Sequence, residues 1–235
     1  MTNNQKTEWI QPWSPLLMKS QLDPAAVQAL IKLSDQLLDD PNSESWGDNL
    51  AGQIQDEILI PHEILRNTLI NSNVNTFDYL MDFVKKYFSK ALRQYATFKN
   101  FPEFQKDEWT TIMNSCWVVS QKELEYNPVH IHTDCSISGV LYLKVPDFAP
   151  AAKPDRDDDG CIVFMGGAGP GQGSALIRNI FTWKPNVGDI FVFPSHLSHA
   201  VYPYRVKGGD PERRSISFNA DYMRTSDFEK LKKAK

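Results

Sequence analysis

The chain predicts an α+β fold, a double-sheet jelly roll covered on one outer face by N-terminal helices. Three observations carry this prediction. Helical periodicity is confined to the part before residue 110. After it, the apolar residues fall into six short runs rich in β-branched and aromatic types, each bounded by Gly, Pro, Asn or Asp. The 235 residues, 41% of them hydrophobic, suit a single domain over 1–235, with a helical part at 1–108 and a jelly-roll core at 109–223.

The first helix runs from Asp23 to Leu38, with Asp23 as its cap and Pro24 at its first position, and with Val27, Leu30, Ile31, Leu37 and Leu38 at near-helical spacing. The segment Asp40-Pro41-Asn42-Ser43-Glu44-Ser45-Trp46-Gly47 is a turn-rich surface loop. A second helix spans Thr76 to about Tyr95. Its buried face is Phe77, Leu80, Met81, Val84, Phe88, Ala91 and Leu92, and Asp78, Asp82, Lys86 and Lys90 form a charged stripe beside it. The strand runs are Ser115–Ser120, Ser138–Val145, Cys161–Met165, Leu176–Trp183, Asp189–Phe193 and Ser215–Tyr222. Between them lie two loops. Pro146–Gly160 carries an acidic run without calcium-loop spacing, and Gly166–Gly173 lacks the Lys-Ser/Thr ending of a phosphate cradle and reads as a lid or loop.

Composition narrows the function. A net charge of −4 gives no global reason to expect nucleic acid, which leaves a small molecule or a peptide as the expected partner. Cys116, Cys135 and Cys161 are odd in number and irregularly spaced, so neither a disulfide framework nor a thiolate zinc site is indicated. No stretch resembles a signal peptide or a membrane span, and the expected location is the reducing cytoplasm.

Four of the five histidines lie in two stretches, Asn127–Asp134 and Phe193–His199. A His-x-Asp pair with a distant His supplies two imidazoles and a carboxylate on one face of an octahedron and leaves three positions open, as in non-heme Fe(II) oxygenases. Residues two apart on a strand share a side, so His132 and Asp134 can join His199 on one ion. His130 and His132 can do the same, which would give a three-histidine set closer to a catalytic zinc site or a cupin. The expected ligands are His132, Asp134 and His199, with His130 as the alternative. His199 is favoured over His196 because it begins the apolar run Ala200-Val201-Tyr202. In the last strand, alternation puts Arg213, Ser215, Ser217 and Asn219 on one face and Arg214, Ile216, Phe218 and Ala220 on the other. The polar face suits a pocket, and Arg213 is the cation expected to hold a dicarboxylate cosubstrate.

The run Asn127–His132, then Ser138–Pro146, then Gly188–Ser195 with His199, then Arg213–Asn219, resembles the 2-oxoglutarate and Fe(II)-dependent oxygenases common in phages and marine bacteria, relatives of the prolyl hydroxylases. The similarity covers roughly residues 109–223. It implies a double-stranded β-helix, Fe(II), 2-oxoglutarate and O2, with release of succinate and CO2 and hydroxylation of a small molecule or of a side chain such as proline. It further implies that Arg213 with Ser215, as an Arg-x-Ser pattern fourteen residues after His199, and Tyr142 receive the far carboxylate of 2-oxoglutarate. Members of this group often read His-x-His-Pro, whereas Thr133 and Asp134 follow His132 here, so His130 and Asp134 both stand as the third ligand. The competing class is a cupin-like metal-binding protein or isomerase that uses His130, His132 and His199 and has no need of Arg213.

Overall fold

The computed structural model describes residues 8–10, 15–94, 106–153, 155, 157–166 and 180–234. The N-terminal part contains β1 (Glu8–Ile10), β2 (Leu17–Gln21), α1 (Pro24–Asp39), β3 (Asp56–Leu59), α2 (His62–Asn67), the ribbon β4 (Leu69–Asn71) and β5 (Val74–Asn75), and α3 (Thr76–Gln94). Then follow β6 (Trp109–Gln121), β7 (Asn127–His130), β8 (Ile137–Lys144), β9 (Ile162–Met165), β10 (Ile180–Trp183), β11 (Asp189–Pro194), β12 (Ser198–Val201), β13 (Arg213–Arg224) and α4 (Thr225–Ala234).

Two antiparallel sheets form the jelly roll. The larger has the order β1-β2-β11-β8-β13-β6-β3 and the smaller β10-β9-β12-β7. The N-terminal part is not purely helical, because β1, β2 and β3 extend the larger sheet at both edges. The glycine-rich loop after Gly166, and the start of the run expected from Leu176, lie outside the described residues.

The helices form as their signals dictate. The Asp23 carboxylate accepts the Ala25 N–H at 2.8 Å, and Pro24 occupies the first turn. Leu30 and Leu33 of α1, and Leu80, Val84 and Tyr87 of α3, pack with Val118, Leu141, Ile190, Ile216 and Phe218 on the outer face of the larger sheet. Tyr142, Phe164, Phe191 and Phe193 fill the space between the sheets. At Gly139 a Cβ would stand 2.1 Å from the Phe218 ring, so β8 can pass over that ring only as glycine.

Arg214 fastens α1 to this framework. Its Nε and Nη2 donate to the two Glu212 oxygens at 2.6 and 2.9 Å, and Nη1 donates to Ser34 Oγ at 3.1 Å and pairs with Asp35. Burial alone would raise the Glu212 pKa, but hydrogen bonds from Arg214, Ser120 and Lys144 outweigh it and hold the carboxyl at about 2. Because the folded value lies below the ordinary 4.5, the resulting stability is fully present above pH 4.5 and is lost as pH falls towards 2. Glu212→Gln is therefore expected to destabilise the protein by about 3 kcal/mol at pH 7, with the gap from wild type closing in urea melts carried down to pH 3.

Candidate metal and 2-oxoglutarate site

A cavity of about 530 Å³ lies between the sheets, and its wall includes His130, His132, Asp134, Tyr142, His199, Arg213, Ser215, Ser217 and Asn219. The four β13 residues are those of the polar face, while Ile216, Phe218 and Ala220 sit in the helix-covered core. Arg214 points away to α1.

His130 ends β7 and His199 lies opposite it on β12. Together with His132 they form a cluster whose ligating atoms all lie within 4.8 Å of one another. Each ring has its Nδ1 engaged outside the cluster: His130 with Pro128 O at 2.8 Å, His132 with Asn219 Oδ1 at 2.7 Å, and His199 with Leu197 O at 2.9 Å. These partners are acceptors, so each Nδ1 carries the proton and each Nε2 presents a lone pair. The Nε2 atoms of His132 and His199 are only 3.3 Å apart. Two lone pairs facing each other at that distance are unfavourable unless a cation lies between them. Burial lowers the pKa of all three rings, that of His132 to about 4, which keeps them neutral. Neutral imidazoles oriented by outer acceptors are the form in which histidine binds a metal.

The carboxylate of Asp134 is not in the cluster, although the residue lines the cavity and is exposed. The reason is local. Strand β7 stops at His130, and Asp134 takes a left-handed backbone with φ of 57°, so same-side alternation does not extend from His132 to Asp134. His196 is exposed, whereas His199 is buried.

Two asparagines shape this loop: Asn114, which the sequence does not mark, and Asn219, which strand alternation places on the pocket face. The β6–β13 register shifts between Asn219 and Ala220, leaving Asn114 as the extra residue on β6. Asn114 Nδ2 donates to Asp134 O at 3.1 Å and to Asp221 Oδ2 at 2.7 Å, while Asn219 fixes the His132 ring. The backbone of the loop is strapped to the end of β11 by His132 N–H to Ser195 O at 2.9 Å and Ser195 N–H to Ser136 O at 3.1 Å. A bulge is a property of strand pairing, so no residue pattern announces it.

Arg213 is 2% exposed and has no carboxylate partner among the described residues. Nη1 donates to Gly160 O at 2.6 Å and Nη2 to Gln121 Oε1, but Nε is unpartnered, and so is the buried hydroxyl of Tyr142. The guanidinium carbon is 5.8 Å from the Tyr142 ring centroid, and Ser215 pairs with Tyr142 across β13 and β8. Burial lowers the Arg213 pKa and raises that of Tyr142. A buried guanidinium without a counterion, beside an orphaned hydroxyl, fits a carboxylate guest.

Among the large aromatics, Trp183 and Phe181 pack against the inter-sheet cluster. Trp109 packs against the helix–sheet core, and Trp117 lines the cavity with its ring 6.0 Å from that of His132.

Residues 115–219 match the family model described as "Putative 2OG-Fe(II) oxygenase". That segment makes up most of the jelly-roll core that bears the site, and it is similar to the 2-oxoglutarate/Fe(II) oxygenases. The protein is an oxidoreductase of that class, with Fe(II) as its metal and 2-oxoglutarate as its cosubstrate. No curated protein matches the chain. Among solved structures, a prolyl hydroxylase from Trichoplax adhaerens, in complex with a hypoxia inducible factor oxygen degradation domain peptide, is 12% identical with a TM-score of 0.51 over 94% of this chain and 84% of that one, which shows the shared fold. The viral collagen prolyl hydroxylase of Paramecium bursaria Chlorella virus-1 is 13% identical over 87% of this chain and 94% of that one, TM-score 0.48. A Pseudomonas putida prolyl-4-hydroxylase is 17% identical over 86% and 91%, TM-score 0.47. No helix among the described residues is long and apolar enough to cross a membrane.

Proposed function

We propose that His130, His132 and His199 hold the iron, that Arg213, Tyr142 and Ser215 hold the far carboxylate of 2-oxoglutarate, and that the reaction hydroxylates a small molecule or a peptide side chain such as proline. The observation that carries this reading is the convergence of the Nε2 lone pairs, 3.3 Å apart for His132 and His199, in a cavity whose wall also holds the unpaired Arg213 guanidinium. When bound, the iron supplies O2 activation coupled to oxidative decarboxylation of 2-oxoglutarate to succinate and CO2. The chain's own residues hold and orient. Asn219 keeps the His132 proton on Nδ1, the Pro128 and Leu197 carbonyls do the same for His130 and His199, and the burial of Arg213 keeps water from competing for the carboxylate. A cupin-like metal protein with no dicarboxylate guest would gain nothing from the buried Arg213, and its unsatisfied Nε would only destabilise the fold.

The test is succinate formation from 2-oxoglutarate by anaerobically Fe(II)-loaded protein after exposure to O2, with and without proline-containing peptides and free amino acids. Slow uncoupled turnover is expected, accelerated by a correct acceptor. The absence of both turnover and 2-oxoglutarate binding would overturn the reading.

A further inference from the structure

Glu57 lies on edge strand β3, paired with Val119 of β6, and its residue lines the same cavity as the histidines. The residue is 2% exposed, and no hydrogen bond or ion pair joins its carboxylate to another described residue. Beside it, a Cβ on Gly52 would meet Asn127 Oδ1 at 2.3 Å and Glu57 Oε1 at 3.5 Å, so the missing side chain at Gly52 lets two oxygen acceptors approach one spot. Trp46 and Trp117 line the same cavity.

A carboxylate shielded from water without a partner is costly to ionise. Burial, and then the charge of Glu125, push the Glu57 pKa up to about 7. The only other carboxyl residue on the described wall is Asp134, and the only residue there with an ammonium or guanidinium group is Arg213, already directed at Gly160 and Gln121. A carboxylate and an amide oxygen attract a positively charged nitrogen through ion pairing and hydrogen bonding, and tryptophan is the aromatic side chain that such a nitrogen favours as a neighbour.

We propose that the substrate of this oxygenase carries an ammonium or guanidinium group, and that this group docks against Glu57 and Asn127 beside Trp46 and Trp117. The inference rests on the oxygenase reading and adds the substrate's charge class to it. Glu57 is here a specificity residue. It holds one end of the substrate so that another part reaches the histidine cluster, and arrival of the cation favours the ionised carboxylate.

The experiment uses the full chain loaded with Fe(II) and 2-oxoglutarate under anaerobic conditions and titrated calorimetrically with matched probes. The charged members are pyrrolidinium, prolinamide, lysinamide and guanidinium. The uncharged ones are N-acetylpyrrolidine, N-acetylprolinamide, diacetyllysinamide and urea. At least one charged probe is expected to bind about tenfold tighter than its uncharged counterpart, and Glu57→Gln to erase that preference. Gln matches the protonated carboxyl in shape, and thermal melts report whether the variant is folded. Glu57→Asp, which restores the charge, is expected to recover part of the preference. Failure of every charged probe to bind, equal binding of the uncharged partners, or a preference that survives in Glu57→Gln would overturn the proposal. Preferred binding of the neutral amides would instead identify Glu57 as a protonated donor to a carbonyl. Titration of the wild-type protein with 2-oxoglutarate alone keeps the two readings separate: loss of that binding sinks the oxygenase reading, whereas intact binding without cation preference sinks only this one.

Discussion

Replacement of His130, His132 or His199 by alanine is expected to lower Fe(II) affinity by more than about 10²-fold each and to abolish 2-oxoglutarate turnover, whereas Asp134→Ala keeps near-stoichiometric iron. Outer partners of metal ligands are themselves worth roughly 10- to 100-fold in affinity, and loss of a ligand exceeds that. The expectation follows from where the lone pairs point. All three Nδ1 atoms are occupied by Pro128, Asn219 and Leu197, which leaves three Nε2 atoms for one ion, while the exposed Asp134 stands outside the cluster on a left-handed backbone. Iron content after desalting, measured alongside equilibrium titration with Fe(II) under anaerobic conditions, checks it. If Asp134→Ala lost the metal and His130→Ala retained it, the ligand set would be His132, Asp134 and His199, and the 131–134 turn would have to rearrange on metal binding.

The contrast between these two ligand sets also shows where sequence reading reaches its limit. Helix α1 is legible because its signals are local: Asp23 caps, Pro24 starts, and the apolar residues recur at helical spacing. The inward face of β13 is legible because alternation is a geometric property of any strand, so Arg213 separates from Arg214 without a structure. Strands β7 and β12 are not. Asn127-Pro128-Val129-His130 and Ser198-His199-Ala200-Val201 are four residues each, polar in part, and are strands because they pair with each other. That long-range pairing sets His130 opposite His199, and the end of β7 at His130 removes Asp134 from the face it would otherwise share with His132. Likewise β2 and β3 are strands because they extend sheet edges next to β11 and β6, and the Asn114 bulge exists only in the register between β6 and β13. Glu57 reads as one more charged residue in Asp56-Glu57-Ile58-Leu59 until that edge pairing buries it.

Arg213→Ala is expected to weaken 2-oxoglutarate binding by a factor on the order of 10²–10³, since removing one partner of a buried, hydrogen-bonded charge pair costs about 2–5 kcal/mol. Arg214→Ala should instead lower overall stability and leave the 2-oxoglutarate requirement nearly unchanged, because its guanidinium is committed to Glu212 and Asp35. The two effects separate in a thermal melt. Without the cosubstrate, Arg213→Ala relieves a buried cation that has no counterion while stranding the acceptors on Gln121 and Gly160, so its melting temperature should move little. Its 2-oxoglutarate-induced rise in melting temperature should nevertheless vanish. Arg213→Lys should fall between the two: it keeps the charge but loses the planar fork that can reach Gly160, Gln121 and a carboxylate at once. Should Arg214→Ala raise the 2-oxoglutarate requirement more than Arg213→Ala does, the far carboxylate would have to be held on the α1 side of β13, and the orphaned Nε of Arg213 and hydroxyl of Tyr142 would be left without a ligand to satisfy them.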